Sequence, residues 1–161
     1  MNGPGLMALR LALAVVFIAH GAHKLFGLFG TPAIGLGGPD ATAQWFASVG
    51  LEPGLAIGMA VGAIELAGGL LLIIGWRTRV VSPLLALVSL VVAWKAYWPW
   101  GFYLNWTGIP DRGTGIELHL LLLGGLVCLW FTGGGDWSVD GVRERTAHER
   151  AAGKARLRGK V

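Results

Sequence analysis

Residues 54–75 read GLAIGMAVGAIELAGGLLLIIG, and the class of fold turns on this run. One residue in it, Glu65, carries a charge. The apolar span 55–75 has the roughly 20 residues that a helix rising ~1.5 Å per residue needs to cross ~30 Å of hydrocarbon. Gly54, Gly58 and Gly62 recur every fourth position. That G-x-x-x-G spacing removes side chains from one stripe, so that another helix backbone can approach closely. Glu65 follows Gly58 by seven residues and falls on the same stripe, near the middle of the span. The carboxylate is therefore expected to face protein and not lipid, because an uncompensated charge in hydrocarbon costs several kcal/mol, of the order of 3 or more.

Working outward, three further apolar spans appear at about 6–26, 79–98 and 114–132. The first is read as a retained helix, since no basic residue precedes Arg10 and no A-x-A site follows the apolar run. The expectation is an all-α polytopic membrane protein: a four-transmembrane-helix bundle over residues 1–142, then a basic cytoplasmic tail, 143–161. Composition agrees, with 54% hydrophobic and 14% charged residues against about 25% charged in soluble domains, and a mean hydropathy of +0.62. The net charge of +4 does not indicate a nucleic-acid partner, because seven of the 13 Lys and Arg lie in the tail. Arg77 and Arg79 sit between spans two and three, on the same side as that tail. The basic bias predicts an N-in, C-in topology with the 27–54 and 99–113 loops outside.

The first outer loop is Gly/Pro-rich apart from a short stretch bounded by Asp40, the expected N-cap, and Gly50, the expected helix end. Trp45, Phe46 and Val49 fall on one side of it, which predicts a short interfacial helix; a plug over the bundle is the alternative. The second outer loop carries Trp98, Trp100, Phe102, Tyr103 and Trp106. Such rings anchor in the headgroup layer, or form an aromatic mouth for a ring-bearing ligand such as a quinone. Cys128 is the sole cysteine, which excludes an intrachain disulfide or a redox dithiol.

The ionisable residues within the spans are the functional candidates. Arg10, Ala14, Phe17, Gly21 and Lys24 align on one face of span one, with His20 beside Lys24. In span four, Glu117, Gly124 and Cys128 share a face, and these faces are expected to meet that of Glu65. The candidates for binding a ligand or protons are thus Glu65, His20, Lys24, Glu117 and Arg10. His23, His119 and Lys95 lie off the stripes and form a second rank, Lys95 being near enough to the outer end to snorkel. The column could bind a polar head group or relay protons. Its purely structural counterpart is a set of ion pairs, Glu65 with Arg10 or His20 and Glu117 with Lys24, that set helix register. No metal site is expected: there is no H-E-x-x-H and no Cys/His cluster. GGGD at 133–136 follows a span and not a strand, so it reads as a helix-terminating turn and not a dinucleotide fingerprint.

The stretch from Arg10 to Gly27, RLALAVVFIAHGAHKLFG, together with GAIELAGGLLLIIG (Gly62–Gly75), the Glu117 span and GGGDWSVD (Gly133–Asp140), resembles the DoxX family. The resemblance extends to about Asp140 and implies a small four-helix protein of the bacterial cytoplasmic (inner) membrane. It implies links to quinone-coupled sulfur oxidation, as the membrane part of a thiosulfate–quinone oxidoreductase, or to complexes that support oxidative-stress and thiol handling. The expected function is therefore a quinone- or redox-associated membrane subunit with no intrinsic cofactor, taking a quinone as ligand, and not an enzyme by itself. Two alternatives stand beside it. One is a non-enzymatic scaffold for a soluble or membrane protein partner. The other is a small proton-coupled transporter using Glu65, which would require a homo-oligomer.

Overall fold

Helix α3, Gly54–Ile74, forms the spine, and its five glycines are where its neighbours come close. The computed structural model describes residues 3–30, 35–109 and 113–158. Its helices are α1 (Gly3–Phe26), α2 (Gly38–Ser48), α3, α4 (Thr78–Val92), α5 (Glu117–Thr132) and α6 (Val139–Arg158). The chain continues from α4 through a π-helical turn, Ala93–Tyr97, and a 3₁₀ turn, Trp98–Trp100. By length and composition α1, α3 and Thr78–Trp100 are each long and apolar enough to cross a membrane. Helix α5 is the short fourth member at 16 residues, or ~24 Å. The expected span began at 114, but Thr114–Ile116 lie outside the helix. There the backbone is tied to the preceding loop, with Gly115 N donating to Tyr103 O (3.1 Å), Ile116 N to Gly101 O (3.1 Å) and Glu117 N to Phe102 O (2.9 Å).

The glycine stripe serves two partners at once. At Gly62 the neighbours are Lys24 and Leu25 of α1, whereas Gly58 meets Thr42 and Phe46 of α2, and Gly54 meets the backbone of Ala43. Gly21 of α1 is the reciprocal contact: a Cβ there would run into Gly62 O and the backbone of Leu66. Gly21→Val is therefore expected to force α1 and α3 apart and abolish a monodisperse, folded peak in size-exclusion chromatography. Gly124→Val on α5, where the space is open, should leave the peak intact. Equal behaviour of the two variants would refute this account of the α1–α3 contact.

The apolar core gathers Leu13, Ala14 and Phe17 of α1, Leu72 of α3, Val81 and Leu85 of α4, and Leu122, Leu126 and Leu129 of α5. This corrects the expected inward face of α5. Cys128 is exposed and Gly124 has nothing beside it, because the leucine stripe supplies far more apolar volume to the interior than a glycine–cysteine stripe. The short helix expected in the first long loop is present as α2. It is docked onto α3, with Phe46 fully buried and Thr42 Oγ1 donating to Lys24 O at 3.2 Å. Its N-cap is Gly37, at φ 68°, and not Asp40. Gly37 adopts the left-handed backbone readily, and Pro39 is pre-set for the first turn, so the helix starts before Asp40. At the other end of the chain α6 begins at Val139, four residues before the expected tail boundary, and is exposed along its length from Arg143 to Ala155.

Candidate functional site: a polar chamber in the bundle

The register set by Gly21 against Gly62 decides the charge pairing. Lys24 lies beside Gly62, and its four-carbon stem reaches one turn along α3, where Nζ donates to Glu65 Oε2 at 2.7 Å. The two side chains are 14% and 8% exposed. The pairings expected from sequence, Glu65 with Arg10 or His20 and Glu117 with Lys24, are not the ones observed. Arg10 is 14 residues from Lys24, or ~21 Å along a helix, too far from Glu65. Glu117 is held at the start of α5, where its Oε2 accepts from Leu104 N at 3.2 Å.

Around the Lys24–Glu65 pair lies a cavity of about 200 Å³. His20 and Lys24 of α1, Glu65 of α3, Ser89 of α4, Tyr97 and His119 form its polar wall, while Phe17 and Leu122 contribute apolar surface. Tyr97 stacks obliquely on His119 with ring centroids 4.5 Å apart, and faces Trp45 at 6.5 Å. The Nδ1 of His119 is buried and has no hydrogen-bond partner among the described residues. His119, second-rank by sequence, thus belongs to the chamber. His23 instead turns to the loop, its Nδ1 3.2 Å from Leu28 O. Lys95 faces away, with Nζ 5.2 Å from the Trp94 ring centroid.

Sequence reasoning passed over Tyr97, Ser89 and the inward role of Trp45. The signal for the first two is the pair Ser82 and Ser89, seven apart and both buried. A regular helix would continue that face at position 96. The π turn at 93–97 inserts one residue's worth of backbone and brings Tyr97 to the face, a device frequent at functional sites.

The far end of the bundle is organised differently. Arg10 is 1% exposed. Its Nη1 donates to Leu72 O (2.9 Å) and Ile73 O (3.1 Å), and its Nη2 to Trp137 O (2.6 Å). The first two are terminal carbonyls of α3, groups that a helix end leaves short of partners. Asp140 completes the corner: Oδ1 accepts from Arg77 N (2.9 Å) and Oδ2 from Thr78 N (2.8 Å), while its own N–H donates to Gly75 O (3.0 Å). The carboxylate thus satisfies the N-terminus of α4 where charge and dipole agree. Both residues hold the α3–α4 corner to the 133–140 turn and lie apart from the chamber.

Chemically, the chamber offers an ammonium and a phenol as donors, a carboxylate as acceptor, and two imidazoles that do either. Among the described residues no three of His, Cys, Asp and Glu converge on one point. Long apolar helices around a small chamber define an all-α integral membrane protein with a set of ionisable groups inside the bundle. The chain belongs to the DoxX family, whose model matches residues 5–98 and so includes His20, Lys24, Glu65 and Tyr97. It is also similar to a Bacillus subtilis (strain 168) protein named "Putative oxidoreductase CatD", at 36% identity over 83 residues. That match covers 52% of this chain and 52% of the relative, so the chain spans about half the length of the curated relative it matches. No solved structure matches the chain.

Proposed function

We propose that this protein is a redox-associated subunit of the bacterial inner membrane that receives a quinone head group in the chamber beside Lys24–Glu65. The observation that carries the proposal is the chamber itself. An apolar bundle keeps a buried charged pair, a phenol and two imidazoles around one cavity, where register alone would need only the pair. At about 200 Å³ the cavity is smaller than the ~300–1,000 Å³ of drug-sized sites and suits a single substituted ring. The unpartnered Nδ1 of His119 fits a ligand oxygen, and the Tyr97–His119 ring pair gives a flat aromatic wall. A quinone supplies two-electron, two-proton acceptor chemistry when bound. Lys24 Nζ and the Tyr97 hydroxyl hold the ring oxygens, His119 orients the ring, and Glu65 takes up or returns a proton. With one cysteine in the chain, electrons come from a partner protein. The relative's name, an oxidoreductase, points the same way. The basic residues favour N-in, C-in, which puts the chamber in the outer half of the membrane.

Equilibrium binding of a short-chain quinone analogue, followed by tryptophan quenching in nanodiscs, tests the reading. Tyr97→Phe and His119→Leu are each expected to weaken binding about tenfold, the value of one buried hydrogen bond at ~1–1.5 kcal/mol, with Glu65→Gln at least as damaging. Wild-type protein that shows no saturable binding overturns it.

A further inference from the structure

A second, larger cavity adjoins the chamber. It measures about 610 Å³, lies between α1 and α2, and opens to the surroundings. Its walls are Ala19, His20, His23 and Lys24 of α1, Ala41 and Thr42 of α2, and the rings of Phe29 and Phe46. Four residues line both cavities: His20, Lys24, Trp45 and Tyr97. The two spaces therefore meet at one place, where Trp45 of α2 faces Tyr97 with centroids 6.5 Å apart. Trp45 is 37% exposed and Phe46, its neighbour at 5.0 Å, is fully buried, so the α2 ring pair has one anchored member and one at the boundary. Another opening exists on the opposite side, an apolar groove of about 630 Å³ along Leu90, Trp94, Trp98 and Leu120. It shares only His119 with the chamber.

Resting on the ring-binding reading above, we infer that the ligand is a ring bearing a long apolar tail, that it enters between α1 and α2, and that the tail stays in this vestibule. Trp45 against Tyr97 is then the divider between head and tail. The geometry suits this division. The inner space is small and holds the Lys24–Glu65 pair and His119, whereas the outer one is three times larger, has no carboxylate among its described lining residues, and carries the Phe29 and Phe46 rings. The Lys24 ammonium lies at the junction, where it meets a ring oxygen as the ring passes. A tail-free, water-soluble ring would need no such vestibule.

The test uses the full chain in phosphatidylcholine nanodiscs and two probes: a tail-free benzoquinone, and a prenyl-tailed quinone with a diazirine on the second tail unit. Photolysis of the tailed probe is expected to label 19–24 and 38–48, and unlabelled tailed quinone should compete the labelling away. Ala41→Trp, which fills the vestibule from an exposed helix position, should weaken the tailed probe about tenfold or more and leave the tail-free ring within about twofold. Labelling of Trp94, Trp98 or Leu120, or equal affinity of the tailed probe for wild type and Ala41→Trp, overturns the vestibule assignment while ring binding stands. Failure of both probes to bind overturns the ring-binding reading and this inference together.

Discussion

Lys24→Ala is expected to destabilise the protein by about 3–5 kcal/mol, the range measured when one partner of a buried ion pair is removed. The loss of a 2.7 Å contact is the smaller part of that cost. What dominates is the carboxylate of Glu65 left behind at 8% exposure, inside a bundle whose surroundings offer little water. Glu65→Ala should cost a similar amount by stranding the ammonium. The double variant Lys24→Met/Glu65→Leu keeps the volume and removes both charges, and buried pairs replaced this way are often neutral or stabilising. It is therefore expected to unfold within about 1 kcal/mol of wild type. Unfolding in mixed micelles by SDS titration gives all four corners of the cycle and isolates the coupling between the two residues. Single variants that lose less than about 1 kcal/mol would show the pair to be solvated. The double variant also separates two roles. If the pair only sets helix register, it binds a quinone analogue as wild type does; if Lys24 and Glu65 hold the ring, it folds and does not bind.

Much of the fold is legible in the sequence because lipid imposes one strong rule: an apolar run of sufficient length must close its own backbone hydrogen bonds as a helix. The runs holding α1, α3 and α4 announce themselves in this way. The glycine spacing on α3 announces a close approach too, but not with whom. Gly54 and Gly58 receive α2, a helix with too little apolar length to be weighed as a packing partner of a span, and Gly62 receives α1. The face of α5 was the least legible element. Its 16 residues are apolar almost all round, so periodicity carries no direction, and only the neighbouring helices decide that Leu122, Leu126 and Leu129 turn inward.

The site was readable in its residue types and not in its pairings. Glu65 and Lys24 stand out as charges within apolar runs, but which cation meets which anion depends on a register that close backbone contacts, Gly21 on Gly62 and Gly69 on Ala14 and Ile18, determine. A shift of one turn, ~5.4 Å, would have exchanged partners. Tyr97 was hidden for another reason. A local change in helical period lies between it and Ser89, and a constant 100° per residue places position 96 there instead. His119 lies off the Glu117 stripe and so gives no inward signal, although that stripe itself faces outward at Gly124 and Cys128.

Arg10 gives the second large effect, and it lies ~21 Å from the chamber along α1. Arg10→Met should destabilise the protein by about 3–5 kcal/mol, since three carbonyls lose a charged donor at once, each bond being worth about 1.5–3 kcal/mol and the set less than additive. Two of those carbonyls close the C-terminus of α3 and the third, Trp137 O, belongs to the turn after α5. The damage should therefore reach the chain on both sides. Hydrogen exchange at 133–140 is expected to rise in Arg10→Met, and trypsin should cut at Arg77 or Arg79 sooner than in wild type. Arg10→Lys should recover little, because a single ammonium cannot reproduce the planar fork that serves Nη1 and Nη2 contacts together. Asp140→Ala, which removes a helix cap, should cost only about 1–2 kcal/mol and raise exchange at Arg77 and Thr78 first. Quinone binding per folded molecule should be unchanged in every one of these variants. An Arg10→Met protein that keeps wild-type stability but loses the ligand would instead move the arginine from the corner into the working part of the bundle. The 1% exposure of Arg10 and its three main-chain acceptors argue against that outcome, for Nη1 and Nη2 are already engaged and Nε, the nitrogen without a partner, is buried at the same corner.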